Sequence, residues 1–272
     1  MNGTGPYVLD ETGDFAVVYK PPRMHCAPLK KNPPRVTLLE WYARVFPPVR
    51  ELGGRREGEG GLLHRLDFET RGLVLFAKTR RGLEHFLAEQ EAGAFIKEYS
   101  ALCRRSGGPV RPPDSGEART AEPRAPDSGL SGFPPAEPLP DVLGDPGPPL
   151  VIESFFRPFG KGRKEVRPVI ERGKGRRAAA ADRGGFYRTE IIGGERAGDG
   201  LYRLTLRISR GFRHQIRCHL AWKGCPILND PLYGPGPGGT GDFLALCARA
   251  LFFTDPRGEP REYRISRPDS LA

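Results

Sequence analysis

Residues 104–150 hold 12 prolines and 7 glycines among 47 positions. A stretch so rich in both cannot bury enough apolar surface to offset the entropy lost on ordering it. It is therefore expected to be an exposed, flexible insertion with no secondary structure of its own. Whatever the chain folds into must be assembled from the residues on either side, so the same stretch is a candidate boundary between two halves of one fold. With 272 residues in all, enough chain is left to bury an ordinary core without disulfides or metals.

Before the insertion, residues 7–24 give a short strand, a turn at 11–14 and a second strand over 15–19 that must stop at Lys20-Pro21-Pro22, because proline cannot continue a ladder. Lys30, Lys31 and Arg35 stand among prolines, and Leu38, Leu39, Tyr42 and Phe46 then recur at helical spacing before Pro47-Pro48. Leu73 to Ala77 reads as a buried strand. Leu83, Phe86, Leu87 and Gln90 mark one face of a helix that Gly93 stops. After the insertion, strands are expected over 186–192, 201–209, 243–253 and 262–265, the last two joined by Asp255-Pro256-Arg257-Gly258. Phe212, Ile216 and Leu220 predict a helix ending at Gly224, with Arg213 and Arg217 one turn apart on it.

Between these elements lies GLLHRLDFETRGLVLFAKT, residues 61–79, where charged residues abut a strongly apolar run. In an extended backbone Arg65 and Asp67 share a face, while Leu63, Leu73 and Leu75 anchor the chain around them. A carboxylate beside a guanidinium stays ionised near neutral pH, which suits a nucleophile or a base and not a general acid. This stretch alone fits a structural ion pair at a strand edge equally well. Further on, Phe95, Lys97, Tyr99 and Ala101 fall on one face of a strand, which makes Lys97 and Tyr99 neighbours.

Lys and Arg exceed Asp and Glu by ten charges, so an anionic partner is expected, and nucleic acid is the commonest for a basic enzyme. The densest basic region is 155–183, with ten Lys or Arg, among them Lys161, Arg163 and Lys164, against three acids. It reads as a phosphate-tracking surface, the alternative being a solvated loop that keeps the protein soluble. The five cysteines are scattered, without a C-x-x-C pair, which argues for free thiols in a reducing compartment. The first residues lack the basic and apolar regions of a signal peptide, and no run of about 18 apolar residues occurs. A cytoplasmic protein without membrane association is expected, with a monomer as the default.

Several common chemistries find no support. Gly234-Pro-Gly-Pro-Gly-Gly239 matches G-x-G-x-x-G only formally, since no helix opens behind it. His214 and His219 are five apart, which on a helix turns them about 140° from each other and excludes paired ligation. No metal and no cofactor are expected.

His64-Arg65-Leu66-Asp67, followed by Thr70, Gly72-Leu73 and Phe76-Ala77-Lys78-Thr79, resembles the catalytic motif of the RluA-type RNA pseudouridine synthases. Lys97-x-Tyr99 is similar to that family's second motif. His214-Gln215-Ile216-Arg217-x-His219-Leu220-Ala221, with Gly224-x-Pro226-Ile227 and Asp230-x-Leu232-Tyr233-Gly234, is similar to its third. The motifs occur in family order on both sides of the insertion. Departures stand at Arg71, Phe212-Arg213, Asn229 and Cys247, none of which replaces the aspartate, the tyrosine or the arginine.

The resemblance implies an α+β fold with a mixed, largely antiparallel sheet in two halves and a central catalytic cleft. A single catalytic domain over 1–272 is expected, and because the first strand begins near Tyr7 the small N-terminal RNA-binding domain that many relatives carry is expected to be missing. The activity implied is isomerisation of uridine in ribosomal or transfer RNA, with Asp67 as catalytic carboxylate, Tyr99 packed on the target base and Arg217 pairing with Asp67. RNA contact is expected from Arg65, His64, Lys97, Arg213, His214, Lys161, Arg163 and Lys164. The competing expectation is a basic RNA-binding protein that keeps the fold without the activity.

Overall fold

The computed structural model describes residues 5–29, 36–105, 133–134, 137–140, 147–170, 185–198, 200–234 and 243–265. Most of the 104–150 insertion lies outside the described residues. So do Lys30, Lys31 and Arg35, the basic residues Arg172, Lys174, Arg176, Arg177 and Arg183, and the glycine-proline turn at 235–239.

The chain forms two compact units, one of Met1–Ser100 with Arg207–Arg210 and Leu246–Leu271, the other of Ala101–Leu206 with Gly211–Ala245. The division falls close to the insertion, yet the chain returns to the first unit twice.

In the first unit, β1 (Tyr7–Glu11) and β2 (Phe15–Lys20) form an antiparallel hairpin. β2 pairs antiparallel with β3 (Arg71–Ala77), and β3 pairs in parallel with β9 (Leu246–Thr254). β10 (Pro260–Arg264) completes an antiparallel hairpin with β9. The parallel contact is close: Gly72, at φ 131°, faces Ala248, and a Cβ on Gly72 would lie 2.3 Å from the Ala248 carbonyl oxygen. Helix α1 (Leu38–Val45) starts at a capping box in which Thr37 accepts from the Glu40 amide while the Glu40 carboxylate accepts from the Thr37 amide. Helix α2 (Arg80–Ala92) is capped by Thr79 and ends on Gly93 at φ 74°, the left-handed conformation glycine adopts without a Cβ clash. The apolar faces of these elements meet in one core, with Phe15, Leu73, Leu75, Phe86, Phe95 and Phe253 at its centre.

In the second unit the strand order is β8-β7-β5-β6, from β5 (Leu150–Phe159), β6 (Glu165–Val169), β7 (Tyr187–Gly198) and β8 (Leu201–Ile208), the last two residues of β8 belonging to the first unit. β5 is antiparallel to both β6 and β7. Helix α3 (Gln215–Trp222) belongs to this unit, where Cys218 and Ala221 pack with Phe156, Val166, Tyr187 and Tyr233. β4 (Ile96–Arg104) carries the second motif, its residues up to Ser100 belonging to the first unit. The result is the expected α+β class with a mixed, largely antiparallel sheet.

Two local expectations need correction. Residues 64–70 are not strand. The chain pairs with β3 through Gly61, Leu62 and Leu63, then leaves the ladder, so the alternation that put Arg65 and Asp67 on one face does not operate. Helix α3 begins at Gln215, with His214 before it at φ 56°. Arg213 is therefore not on the helix, and the one-turn relation to Arg217 is absent.

Candidate active site

In the first unit Asp67 is half-buried on the loop that follows the Leu63–Leu75 bond, and the Thr70 amide donates to its carbonyl, closing a turn. Tyr99, 6% exposed on β4, lies within electrostatic reach of it. Burial pushes the Tyr99 phenol well above its ordinary range, and the Asp67 charge adds to the effect, so the ring is a neutral surface. The structure thus brings together the two residues expected at the reacting base.

In the sequence Lys20 marks only the end of a strand. It is fully buried, and its ammonium donates to the carbonyls of Pro21, Met24 and Phe68 at 2.8, 2.8 and 3.2 Å. Burial brings it down to about 8, against the opposing charges of Asp67 and Glu69. The signal was a lysine at the end of an otherwise apolar strand, a position that buries a charge unless partners are supplied.

The other expected RNA contacts in this unit divide. Arg65 is exposed, as a residue meeting RNA must be, and it ion-pairs with Glu59 at 3.1 Å. Lys97, expected at a surface, is 4% exposed. Its ammonium donates to the Ser209 carbonyl at 2.7 Å and lies over the ring of Phe95, not of Tyr99. Burial, with the charge of Arg55, lowers it to about 7. His64 is turned inward: its Nε2 accepts from the Leu75 amide and its ring packs on Phe95. Its pKa falls well below the usual range through burial and then through Lys97. A neutral ring accepting at Nε2 carries its proton on Nδ1, which is buried without a partner. His64 and Lys97 are therefore both turned to the core at Phe95.

Next to Tyr99, Glu98 is buried among three arginines. Arg207 donates to it through Nε and Nη2 at 3.0 and 2.9 Å, Arg264 through Nη1 at 2.7 Å, and Arg249 lies at 3.4 Å. Burial alone would raise this carboxyl, but the hydrogen bonds from Arg264 and Arg207 carry it below its ordinary range. The tyrosine is thus preceded along β4 by two tethered side chains, Lys97 and Glu98.

In the second unit Arg217 is 3% exposed and pairs in a fork with Asp230, Nε to Oδ2 at 2.8 Å and Nη2 to Oδ1 at 2.7 Å. Asp230 also accepts from the amides of Leu232 and Tyr233. A buried guanidinium needs such a carboxylate, and its signal was present in the sequence as the acid of Asp230-x-Leu232-Tyr233. His214, in its left-handed conformation, bonds through Nδ1 to the Tyr233 hydroxyl at 3.2 Å. His219 bridges Ser154 and Thr189, each at 2.9 Å, and burial drops it to about 3, so it is a packed neutral ring.

The basic hairpin of β5 and β6 carries aromatic rings between its charges. Arg163 and Lys164 are exposed at its tip, and the exposed Arg213 binds back to the carbonyls of Arg163 and Glu165. Arg167 is buried, stacked over Phe159 and Phe133 at 4.3 and 4.8 Å. Lys161 lies in the short 3-10 turn between the strands. Among the described residues no three His, Cys, Asp or Glu side chains gather as metal ligands, and no helix is long and apolar enough to cross a membrane.

The profile of the RNA pseudouridylate synthase family matches residues 14–222. Ribosomal large subunit pseudouridine synthase D of Haemophilus ducreyi is 24% identical over 233 residues, covering 85% of this chain and 53% of that protein. Its Haemophilus influenzae counterpart is 25% identical over 281 residues, 97% of this chain and 68% of its own length. The chain spans about half the length of the first of these relatives. Among solved structures, human RNA pseudouridylate synthase domain containing 1 superposes with a TM-score of 0.62 at 20% identity, covering 97% of this chain and 84% of that one. Human RNA pseudouridylate synthase domain containing 4 gives 0.54 at 17%, and both likenesses concern the fold. A single profile match takes in Asp67, Tyr99 and Arg217, so the chain belongs to the RNA pseudouridylate synthase family.

Proposed function

We propose that this protein converts uridine to pseudouridine in structured RNA, with Asp67 as the catalytic carboxylate. The observation that carries this reading is the placement of Asp67 on a tethered loop beside the neutral ring of Tyr99, within the span of the family match. The reaction breaks the bond from N1 to the ribose C1′, turns the uracil and joins C5 to C1′, while the hydrogen of C5 is replaced by one on N1. Nothing is gained or lost overall. Asp67 serves as the carboxylate at the sugar, Tyr99 packs against the extruded base, and pairing between Asp67 and Arg217 is part of the proposal. Extrusion costs a few kcal/mol, which phosphate contacts from Arg65, Arg213 and the β5–β6 hairpin offset.

Ribosomal RNA is the proposed substrate class, on the names of the relatives. The cytoplasm is the proposed compartment, on five free, buried cysteines. The test is to map pseudouridine in ribosomal and transfer RNA from cells with the protein, without it, and with Asp67→Asn. An amide cannot supply the carboxylate, so the expected outcome is one or more sites present only with the wild type. Identical maps in all three would overturn the proposal.

A further inference from the structure

The backbone that carries Asp67 has left the sheet, and its position has to come from elsewhere. The last ladder bond before it is from the Leu63 amide to the Leu75 carbonyl. Beyond it, Cys26 takes both polar backbone atoms of Leu66: the Leu66 amide donates to Sγ at 3.2 Å, and the thiol donates to the Leu66 carbonyl at 3.5 Å. On the other side of Asp67, Lys20 donates to the Phe68 carbonyl, and the His25 ring packs on the Phe68 ring with centroids 4.6 Å apart. Residues 20–26 thus grip the chain immediately before and immediately after the carboxylate.

That grip is itself anchored. The His25 and Cys26 carbonyls accept from the Leu38 and Leu39 amides, at 2.9 and 3.0 Å, in the first turn of α1. Those amides are among the four that a helix cannot satisfy internally, and the Thr37–Glu40 capping box fixes the turn from which they project. A continuous path runs from the helix start through the Cys26 backbone and thiol to Leu66 and Asp67. To act on both atoms of Leu66 the sulfur must stay protonated. Burial pushes the thiol above its ordinary range, and the nearby Lys20 does not reverse this.

We propose that Cys26 is a positioning residue for Asp67, its thiol replacing the missing strand partner of Leu66 and setting where the carboxylate meets the ribose. Each sulfur hydrogen bond is weak, so the contribution lies in placement: a displacement of about 1 Å at a reacting group can cost a factor of about 100 in rate. Serine preserves a donor and an acceptor at this point, whereas alanine and valine remove both, and valine keeps most of the volume.

The inference rests on the catalytic role proposed for Asp67, and the experiment separates the two. Ribosomal RNA from cells lacking the protein is incubated with excess wild type, Cys26→Ser, Cys26→Ala, Cys26→Val or Asp67→Asn. Single-turnover rates of pseudouridine formation, RNA affinity and Tm are measured for each. The expected result is that alanine and valine lower the rate at least about tenfold while affinity stays within about twofold and the valine variant melts near the wild type. Serine should recover the rate to within about threefold. Wild-type rates in the alanine and valine variants, with Asp67→Asn inactive, would overturn the role of Cys26 alone. Equal losses in serine, alanine and valine would do the same, because packing and not hydrogen bonding would then be responsible. An active Asp67→Asn, or an inactive wild type, would instead remove the functional reading beneath it.

Discussion

Lys97 shows how the meaning of a residue depends on what surrounds it. The family resemblance implied a cation offered to RNA, but it is 4% exposed with its ammonium on the Ser209 carbonyl. Its pKa falls from 10.5 in the unfolded chain to about 7 in the fold. The unfolded chain therefore holds a proton that the folded protein has released between these values, and in that window stability rises with pH. Below about 7 both states are charged and the burial cost is felt in full. Lys97→Met has no such group. Raising the pH from 7.5 to 9.5 should stabilise the wild type over this variant by roughly 2 kcal/mol, from 1.4 kcal/mol per unit reduced near the lower edge. Urea unfolding at several pH values measures it. Parallel curves for the two proteins would mean that the ammonium is already well solvated.

At the scale of elements, the parallel contact between β3 and β9 depends on one missing Cβ. Gly72→Ala would set a methyl 2.3 Å from the Ala248 carbonyl oxygen, at a φ of 131° that alanine rarely adopts. A cost of at least ~2 kcal/mol is expected from overpacking and backbone strain together. Gly13→Ala, in the β1–β2 turn with open space around its Cβ, should be close to neutral. A urea midpoint unchanged in Gly72→Ala would show that the strands separate without penalty. Elements of this kind were largely legible in the sequence, because an apolar period and its punctuation determine them locally: the stops at Pro21 and Gly93 both appear where expected. The loop holding Asp67 was not. Its alternation imitates a strand, and only Cys26 and Lys20, some 40 residues earlier, reveal that it leaves the sheet. The start of α3 was missed for a similar reason, since the left-handed turn at His214 is stabilised by Tyr233, 19 residues on. Glu98 draws its arginines from β8, β9 and β10, pairings that no local pattern encodes.

Across the whole molecule the excess of ten positive charges is not spread evenly in its availability. Arg167 and Arg217 are buried and Lys20 and Lys97 are committed to backbone carbonyls, so none of the four adds to a solvent-facing phosphate surface. Arg163, Lys164 and Arg213 are exposed together at the tip of the β5–β6 hairpin, and Arg65 is exposed in the first unit. If RNA is held by these side chains, the logarithm of its affinity should fall linearly with the logarithm of salt concentration, by about 0.7 to 0.9 for each phosphate neutralised. The double substitution Arg163→Gln with Lys164→Gln should then reduce the slope by about 1.5 and weaken binding by a similar factor for every RNA sequence. Lys97→Met should leave the slope unchanged, because a buried ammonium releases no counterion when RNA arrives. Filter binding at a series of salt concentrations distinguishes the two variants. A slope that the hairpin double variant does not alter would transfer the phosphate contacts to other parts of the chain.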